Sequence, residues 1–451
     1  MRAELIASVA HVSALERARI LSRPEASSLR DALRGIARRA ERGQFVLDPS
    51  LEDVHMNVEH ALTESLGDLG RKVHTGRSRN EQIAVDERIF LRGEVARLVR
   101  GTIVLQRALL AHARAGASWL MPGFTHLQHA QPITLGFWAL SHVARLERDA
   151  RRLLLTVPEI EVSPLGAGAL AGTGYPLDRD LESSLLGFSH PHPNALDAVS
   201  DRDHLVHLLS ACALLATHLS QLSEDFVLFA SPALGYVSLG RSTSTGSSMM
   251  PQKRNPDAFE LARGGAGRVT GALVAVLTTL KGLPTGYNRD LQHDRAVSFD
   301  AIDWLSRALD VVAEAVAGAR FDRARIRAAA DMGHMNATDL ADFLVREGVP
   351  FRTAYLRAAE AVAEARKRNV SLERLDLARV LRLPGAKASA AARHIRLESV
   401  VARRAVKGGT SAASVGRQID EFTRRLTDLE RGLADVSRRV AIADRLLSGR
   451  G

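Results

Sequence analysis

Cysteine is nearly absent from this chain of 451 residues, which contains only Cys212. One cysteine cannot form an intramolecular disulfide, and it cannot supply the ligand set of a cysteine-based zinc site. The sequence therefore excludes the internal disulfide framework that small secreted domains use. This usage suits a reducing compartment, so we expect a cytoplasmic protein.

Aromatic residues are also few, at 4% of the sequence, whereas hydrophobic residues reach 46%. This composition can bury a large core, and it favours helices over β-sandwiches, which are richer in aromatic residues. Glu4, His11 and Glu16 interrupt the apolar residues near the start. No run of roughly 18 uncharged apolar residues follows, so we expect neither a signal peptide nor a membrane span.

Lysine is scarce although the formal net charge is +10, because only six of the 61 basic residues are lysines. The basic residues are scattered and aromatic stacking partners are few, so we expect no nucleic-acid partner. The positive charge can instead attract an anionic small molecule. A lysine kept in so arginine-rich a sequence needs a specific reason, which makes Lys253 informative.

Long amphipathic helices dominate the hydrophobic pattern. One apolar stripe runs in steps of three and four residues from Asp203 to Phe229. Similar patterns cover residues 81–117, 134–155, 256–281 and 295–317. Asn255 and Pro256 are the predicted N-cap and first residue of one of these helices. Helices this long predict a bundle whose apolar faces also bind other subunits, so we expect an oligomer.

The segment from Gly246 to Asp257 stands out among the polar joints between these helices. It reads Gly-Ser-Ser-Met-Met-Pro-Gln-Lys-Arg-Asn-Pro-Asp. Its serine hydroxyls, the Lys253 ammonium and the Asn255 amide can together bind a carboxylate and transfer a proton. A flexible solvated loop has the same polarity, but it gives no reason for the rare lysine, which arginine does not replace at a point-charge site.

This segment resembles the signature loop of the fumarase/aspartase superfamily, in the variant found in argininosuccinate lyases and their relative delta-crystallin. Residues 75–82, 123–128 and 282–294 resemble three further family boxes in order and spacing. The resemblance covers nearly the whole chain. It implies an all-α fold of three units with a central long-helix bundle. The expected units are residues 1–76, 77–329 and 330–451.

The resemblance also implies the active-site residues. Ser247 matches the catalytic base of a mobile loop, His126 matches the family histidine, and Glu260 is positioned to orient that histidine. The implied substrate-binding residues are Ser78, Arg79, Asn80, Thr125, Arg202, Lys253, Asn255, Tyr287, Gln292 and Arg295. Asp53 and His55 lie in a segment that resembles a family segment near the site, and we expect them to support the site residues. The family needs no metal or cofactor, and each site draws on three subunits of a homotetramer.

The implied reaction is a β-elimination in which a proton leaves the carbon beside a carboxylate and a C–N bond breaks. Whether Ser247 or His126 makes the first proton transfer stays open. The first hypothesis is argininosuccinate lyase, which forms arginine and fumarate in arginine biosynthesis. The second is a superfamily lyase with another succinyl adduct, of the adenylosuccinate or aspartate type. The third is a non-catalytic, crystallin-like structural protein.

Some positions depart from the family pattern. Glu81 stands where aspartate is usual, His293 where glutamate is usual, and Arg295 where lysine is usual. A family segment with Trp-Gly-Gly-Arg-Phe has no counterpart ahead of Ser8. We expect these differences to bear on substrate identity more than on the class of reaction.

Two other motifs are assigned no function. Residues 166–171 fit the dinucleotide pattern G-x-G-x-x-A, but they lack the strand–helix–strand unit and the acidic residue that follows it. We predict a glycine-rich packing turn there. His190-Pro191-His192 lacks a coherent set of further ligands, so we predict no metal site there.

Overall fold

Helix dominates the fold because apolar residues recur every three or four positions through most of the chain. The computed structural model describes residues 1–449 and is 69% helical, which confirms the predicted all-α class. The N-terminal helices are α1 (Arg2–Arg17), α2 (Arg23–Glu41), α3 (Val54–Leu66) and α4 (Asp68–Arg71). Leu5, Leu15, Leu29, Leu33 and Val58 share one buried apolar cluster in this part of the chain.

The middle of the chain holds the long helices that the periodicity predicts. The helices are α5 (Arg79–Ala115), α6 (Leu135–Leu155), α7 (Val157–Ile160), α8 (Arg179–Leu185), α9 (Ala195–Ala198), α10 (Asp203–Ala230), α11 (Asp257–Leu280) and α12 (His293–Ala317). Pairs α5–α6, α10–α11 and α11–α12 pack side by side, and α12 closes the bundle on α5. Their leucines and valines form the largest buried cluster, and each buried leucine contributes about 1.5–3 kcal/mol.

Helix α10 lies in this bundle although it is long and apolar enough to cross a membrane by length and composition. Half of its most apolar window is buried inside the structure. Leu205, Leu208, Leu215 and Phe226 are fully buried among the neighbouring helices. The apolarity of α10 is therefore accounted for by the core.

The C-terminal helices form a second packing unit and then return to the bundle. They are α13 (Arg323–Met332), α14 (Ala337–Arg346), α15 (Phe351–Lys367), α16 (Leu377–Val380), α17 (Gly385–His394), α18 (Leu397–Arg403) and α19 (Ala412–Ser448). Residues from Leu340 to Ile395 share their own apolar cluster. Helix α19 instead packs on α5 and α6, where Val415 and Leu429 join the central core. The domain boundaries predicted at residues 76 and 329 stay predictions.

Eight short strands connect the helices in the described residues, and they pair two by two. They are β1 (Leu120–Thr125), β2 (Gln128–Thr134), β3 (Val162–Ser163), β4 (His190–Pro191), β5 (Val237–Ser238), β6 (Thr245–Gly246), β7 (Arg254–Asn255) and β8 (Arg320–Phe321). The pairs β1–β2, β5–β8 and β6–β7 are antiparallel, and β3–β4 is parallel. Four 3₁₀ helices lie at Lys72–His74, Arg241–Thr243, Arg289–Gln292 and Leu372–Arg374.

The predicted N-cap of α11 was wrong by one residue. Asn255 lies in β7, where it pairs with Thr245, and Pro256 occupies the N-cap position. Strand pairing holds Asn255 in an extended conformation, so the helix begins only at Asp257. Asn255 therefore belongs to the β6–β7 pair and does not cap the helix.

Candidate active site

The loop between β6 and β7, residues 247–253, brings Ser247 and Lys253 together. The Ser247 N–H donates to the Lys253 carbonyl oxygen over 3.3 Å. Ser247 Oγ accepts the backbone N–H groups of Met249 at 3.2 Å and Met250 at 3.0 Å. Two amide donors on one hydroxyl oxygen favour negative charge on that oxygen. The loop can therefore support the deprotonated form that a serine base requires.

Polar contacts at the base of this loop hold it to the start of α11. Asp257 Oδ2 accepts the Thr245 N–H over 2.8 Å and also accepts the Thr245 hydroxyl. Arg254 Nη2 donates to Ser244 Oγ over 2.6 Å. The Lys253 side chain is exposed and Asn255 is half-buried. The loop thus has a fixed base and a tip that faces solvent.

The β1–β2 hairpin presents Thr125 and His126 at its tip. Thr125 pairs with Gln128, so the turn contains only His126 and Leu127. Both have left-handed backbones, with φ of 54° and 57°. Such two-residue turns match the strand twist but normally use Asn or Gly, because other side chains cost roughly 1–2 kcal/mol there. Strained residues of this kind cluster at functional sites.

The N-terminus of α5 holds the next three predicted site residues. Ser78 caps the helix, since its Oγ accepts the Asn80 N–H over 3.3 Å and its own N–H donates to Glu81 Oε1 over 3.1 Å. Arg79 Nε lies 3.1 Å from Asp53 Oδ2. The hydroxyl of Ser78 and the guanidinium of Arg79 therefore both take part in positioning the helix start.

A glycine-rich turn at residues 166–172 packs on this helix start. Asn80 Nδ2 donates to the Ala169 carbonyl over 2.9 Å, and Glu81 Oε2 accepts the Gly168 N–H over 2.9 Å. Gly168 has a φ of 59°, and an added Cβ would lie 2.4 Å from the Gly172 carbonyl oxygen. Only glycine fits this position. The segment is the packing turn that the sequence predicts.

Tyr287 packs on a small cluster that includes Ala167 of the same turn. The buried members of this cluster are Ala167, Ala198 and Val199. Gln292 lies at the end of the next 3₁₀ helix, with its side chain exposed. The structure therefore joins the helix-start residues and Tyr287 through one turn within a single chain.

Arg202 is buried beneath this region rather than exposed to a ligand. Its side chain is 1% exposed, and its Nε lies 2.5 Å from Asp294 Oδ2 and 3.7 Å from Glu87 Oε2. Its Nη1 also donates to the Asp201 carbonyl over 2.8 Å. Arg295, 30% exposed, lies 3.4 Å from the other oxygen of Asp294. Asp294 thus lies between the buried Arg202 and the half-buried Arg295.

The acids around Arg202 are residues that the sequence reasoning missed. Burial alone would raise the pKa of Glu87, but the Arg202 charge and the His204 hydrogen bond lower it to about 2. Burial and the neighbouring Glu87 raise the pKa of Asp294, although Asp294 lies closer to the guanidinium. Glu87 is therefore held ionised beside Arg202. No local motif marks these contacts, because they join three separate helices.

The predicted pairing of His126 with Glu260 does not occur within the described part of one chain. Glu260 lies in the first turn of α11 with its side chain 45% exposed, and its nearest cation is Arg263 at 4.0 Å. His126 is exposed at the hairpin tip, and no hydrogen bond joins it to Glu260 among residues 1–449. The relay role of Glu260 stays a prediction.

Apart from Arg202, Glu260, Gln292 and Arg295, the predicted site residues fall into three groups. The first surrounds the α5 start and Tyr287, the second is the 247–253 loop with Asn255, and the third is the hairpin tip with Thr125 and His126. Among the residues that the structure describes, no side-chain hydrogen bond or ion pair links one group to another. Within one chain, Ser247 and Lys253 come together, whereas His126 does not join them.

A buried cluster near α5 contains the three side chains best arranged to hold a cation. Ligand atoms of Glu4, His55 and Asp86 lie within 4.8 Å of one another. Glu4 already accepts hydrogen bonds from His55 at 2.7 Å and from Ser8 at 2.7 Å. Burial would raise the pKa of Glu4, but His55 and Arg77 lower it to about 2. These partners satisfy Glu4 without an ion, and the expectation of no metal stays a prediction.

A second buried pair, His11 and Glu182, lies next to the α5 start. His11 Nε2 lies 2.9 Å from the Thr75 carbonyl oxygen and donates to it, because a carbonyl can only accept. In neutral His11 the other ring nitrogen, Nδ1, therefore carries no proton. Nδ1 lies 3.0 Å from Glu182 Oε1. Burial lowers the pKa of His11 to about 3 and raises that of Glu182 to about 7. Below about pH 7 the pair is therefore neutral, and the Glu182 hydroxyl can donate to Nδ1.

Comparison with known families agrees with this architecture. A family described as Lyase matches residues 1–271, and a family described as Argininosuccinate lyase C-terminal matches residues 334–402. Because the first match covers more than half of the chain, the protein belongs to this lyase family.

Solved structures give the same result. EDDS lyase, in complex with formate, is 28% identical with a TM-score of 0.88, over 99% of this chain and 90% of that one. A fumarate lyase:delta crystallin from Brucella melitensis is 23% identical with a TM-score of 0.75, over 88% and 90%. A class II fumarase from Schistosoma mansoni is 20% identical with a TM-score of 0.73, over 88% and 89%. The last two show likeness of fold. Together these matches support membership of the fumarase/aspartase superfamily.

Proposed function

We propose that this protein is a carbon–nitrogen lyase that cleaves argininosuccinate to arginine and fumarate by β-elimination. The observation that carries the proposal is that the Ser247 hydroxyl oxygen, beside Lys253, accepts hydrogen bonds from two backbone N–H groups. A serine held in this way can act as a base that a solvated serine cannot. The exposed loop tip leaves this oxygen accessible to a substrate.

The proposed chemistry begins with loss of a proton from the carbon next to a carboxylate. The electron pair of that C–H bond passes into the carboxylate, which becomes a doubly charged aci-carboxylate. The Lys253 ammonium and the Asn255 and Asn80 amides are the donors for this charge, which is usually the largest catalytic term. The C–N bond then breaks, and the leaving guanidinium nitrogen takes a proton from a general acid, for which His126 is the candidate. Which of Ser247 and His126 acts first stays open.

The choice of argininosuccinate rests on two observations. The Met-Pro-Gln-Lys-Arg-Asn-Pro-Asp segment resembles the argininosuccinate lyase variant of the loop, and residues 334–402 match the C-terminal family of that enzyme. Tyr287, Gln292 and Arg295 are the proposed residues for the arginine end. The similarity to EDDS lyase, one variant of which has been solved with bound fumarate, favours as runner-up a different succinyl adduct.

We further propose that the active site forms in a homotetramer, with the three groups of site residues contributed by three subunits. The outward face of α11 supports self-association. Leu261, Val274 and Leu277 are 74%, 56% and 47% exposed, and Gly264 and Gly271 have open space beside them. Small and apolar residues on an exposed helix face suit close packing against another helix. The proposal also includes a cytoplasmic location and no required cofactor.

A direct assay tests the proposed reaction. The purified protein is mixed with argininosuccinate, and the absorbance of fumarate is followed. Turnover supports the proposal, whereas turnover only on adenylosuccinate, aspartate or an EDDS-type adduct moves it to the second hypothesis. No turnover on any of these adducts would favour the structural protein.

A further inference from the structure

A cavity of about 390 Å³ lies between the β1–β2 hairpin and the C-terminal helices, outside the residues used in the proposed reaction. Its lining residues are Gln128, His129, Met332, Gly333, His334, Arg366, Asn369 and Val370. The lining contains a guanidinium, two imidazoles and two carboxamides, and it contains no acidic side chain. Its volume lies in the range of small-molecule sites.

The polar groups of this cavity lack protein partners. Within residues 1–449, the Arg366 guanidinium makes no ion pair, and the side chains of Gln128, His129 and Asn369 make no hydrogen bond. His334 Nδ1 is buried without a hydrogen-bond partner. Leaving a buried polar atom unsatisfied costs about 1–3 kcal/mol, whereas Gln128, His129, Arg366 and Asn369 are exposed and open to a ligand. His334 and Arg366 line the same cavity, and burial together with the Arg366 charge lowers the pKa of His334.

The backbone around the cavity is strained. Six non-glycine residues of the described chain have positive φ, and His334 and Asn369 are two of them, at 47° and 50°. His126 and Leu127, at the tip of the same hairpin, are two more. At Gly333 an added Cβ would lie 3.1 Å from the His129 ring. Strained residues persist where the surrounding structure fixes them, and they concentrate at ligand-binding sites.

We propose that this cavity binds a small oxyanion, a carboxylate or a phosphate group, through Arg366, His129 and His334. A guanidinium binds two oxygens of such a group side by side, and imidazole and carboxamide N–H groups supply further donors. The anion would neutralise Arg366, which lines the cavity. Gln128 and His129 lie in the hairpin that carries His126, so the bound anion would also hold that hairpin against the C-terminal helices.

Titration calorimetry of the full-length protein with inorganic phosphate, and separately with acetate, tests this site. We expect saturable binding of at least one of them, which also decides between phosphate and carboxylate. Arg366→Gln should weaken binding by about tenfold or more. Arg352→Gln removes an exposed arginine of the same helix that makes no ion pair within residues 1–449, and it should leave binding unchanged. Equal affinity in wild type and Arg366→Gln, or no saturable binding of either anion, would overturn the proposal.

Two further measurements make the result specific. Hydrogen exchange of the amides in residues 122–134 and 332–336 should slow when the anion is bound, and unchanged exchange would contradict the assigned location. The anion should bind equally well to Ser247→Ala, because this cavity does not include the 247–253 loop. Loss of binding in Ser247→Ala would place the anion at the proposed catalytic loop instead. If Arg366→Gln does not fold, His129→Ala serves as the second variant and should also weaken binding.

Discussion

Two regions of this protein use polar residues in opposite ways. At the loop and hairpin tips, Ser247, Lys253 and His126 are exposed or half-buried and have few side-chain partners. Beneath the α5 start, Glu182 and Arg202 are almost fully buried and are bound by specific partners. The first region holds the solvent-accessible groups of the proposed reaction. The second holds the frame that positions them, so changes in the two regions should separate activity from stability.

The largest effect should follow from removing the proposed base. Ser247→Ala should lower kcat on argininosuccinate by on the order of 10³-fold, because proton transfer loses its acceptor. Melting temperature and oligomeric mass should stay those of the wild type, since Ser247 makes only local loop contacts. Ser248→Ala, at the exposed neighbouring serine, is the matched control and should retain activity. A Ser247→Ala enzyme with wild-type kcat would remove Ser247 from the mechanism.

The buried acid Glu182 should control how stability depends on pH. Its pKa is raised to about 7 in the folded protein by burial, so its contribution is fully present below the unfolded pKa near 4.5 and is lost as pH rises through 7. The shift corresponds to about 3 kcal/mol. Glu182→Gln should remove this fall in the free energy of unfolding between pH 5 and pH 8.

Urea unfolding at several pH values measures this effect. Glu360→Gln, at an exposed site with no charged partner, should keep the wild-type slope. If Glu182→Gln and the wild type show the same pH slope, Glu182 is not the protonated member of the pair with His11.

The glycine turn between the two regions should be sensitive to a single methyl group. Gly168→Ala places a Cβ 2.4 Å from a carbonyl oxygen at a φ of 59°, which should cost about 2–3 kcal/mol of stability. Movement of the turn should also disturb Asn80, whose amide donates to the Ala169 carbonyl, so KM should rise. Gly174→Ala has open space and should change neither quantity. A Gly168→Ala protein as stable as the wild type would show that the turn relaxes freely.

The smallest effect should come from loosening the base of the 247–253 loop. Asp257→Asn weakens the contacts to Thr245, so the loop should spend less time in its active arrangement. We expect kcat/KM to fall by about tenfold, with unchanged unfolding free energy. Asp331→Asn, at a surface ion pair far along the chain, should leave kcat/KM unchanged. A larger loss of stability than of activity would assign Asp257 to the frame.

Local patterns predicted the helices better than they predicted the contacts between them. The stripe from Asp203 to Phe229 became α10 almost residue for residue, because the apolar period is set by helix geometry. The sequence predicts no strands at residues 120–134, where the structure has a hairpin. Its prolines and Gly123 interrupt the alternation of apolar and polar residues that marks a strand. The N-cap of α11 moved because pairing with Thr245, ten residues earlier in the chain, overrode the cap preference of Asn255.

Only part of the candidate site could be predicted from the sequence. The family boxes predict the exposed groups, and their roles stay predictions. The pairing of Arg202 with Asp294 and Glu87 joins positions about a hundred residues apart, and no local signal encodes it. In the proposed site His126 meets Ser247 across a subunit boundary, and no pattern within one chain specifies such a contact.

Mixing two inactive variants tests the account most directly. If Ser247 and His126 of one active site come from different subunits, hybrid tetramers of Ser247→Ala and His126→Ala contain some sites with both residues intact. Co-refolding the two variants in equal amounts should restore about a quarter of wild-type fumarate formation. Activity no higher than that of either variant alone, in hybrids verified by mass, would contradict a site shared between subunits.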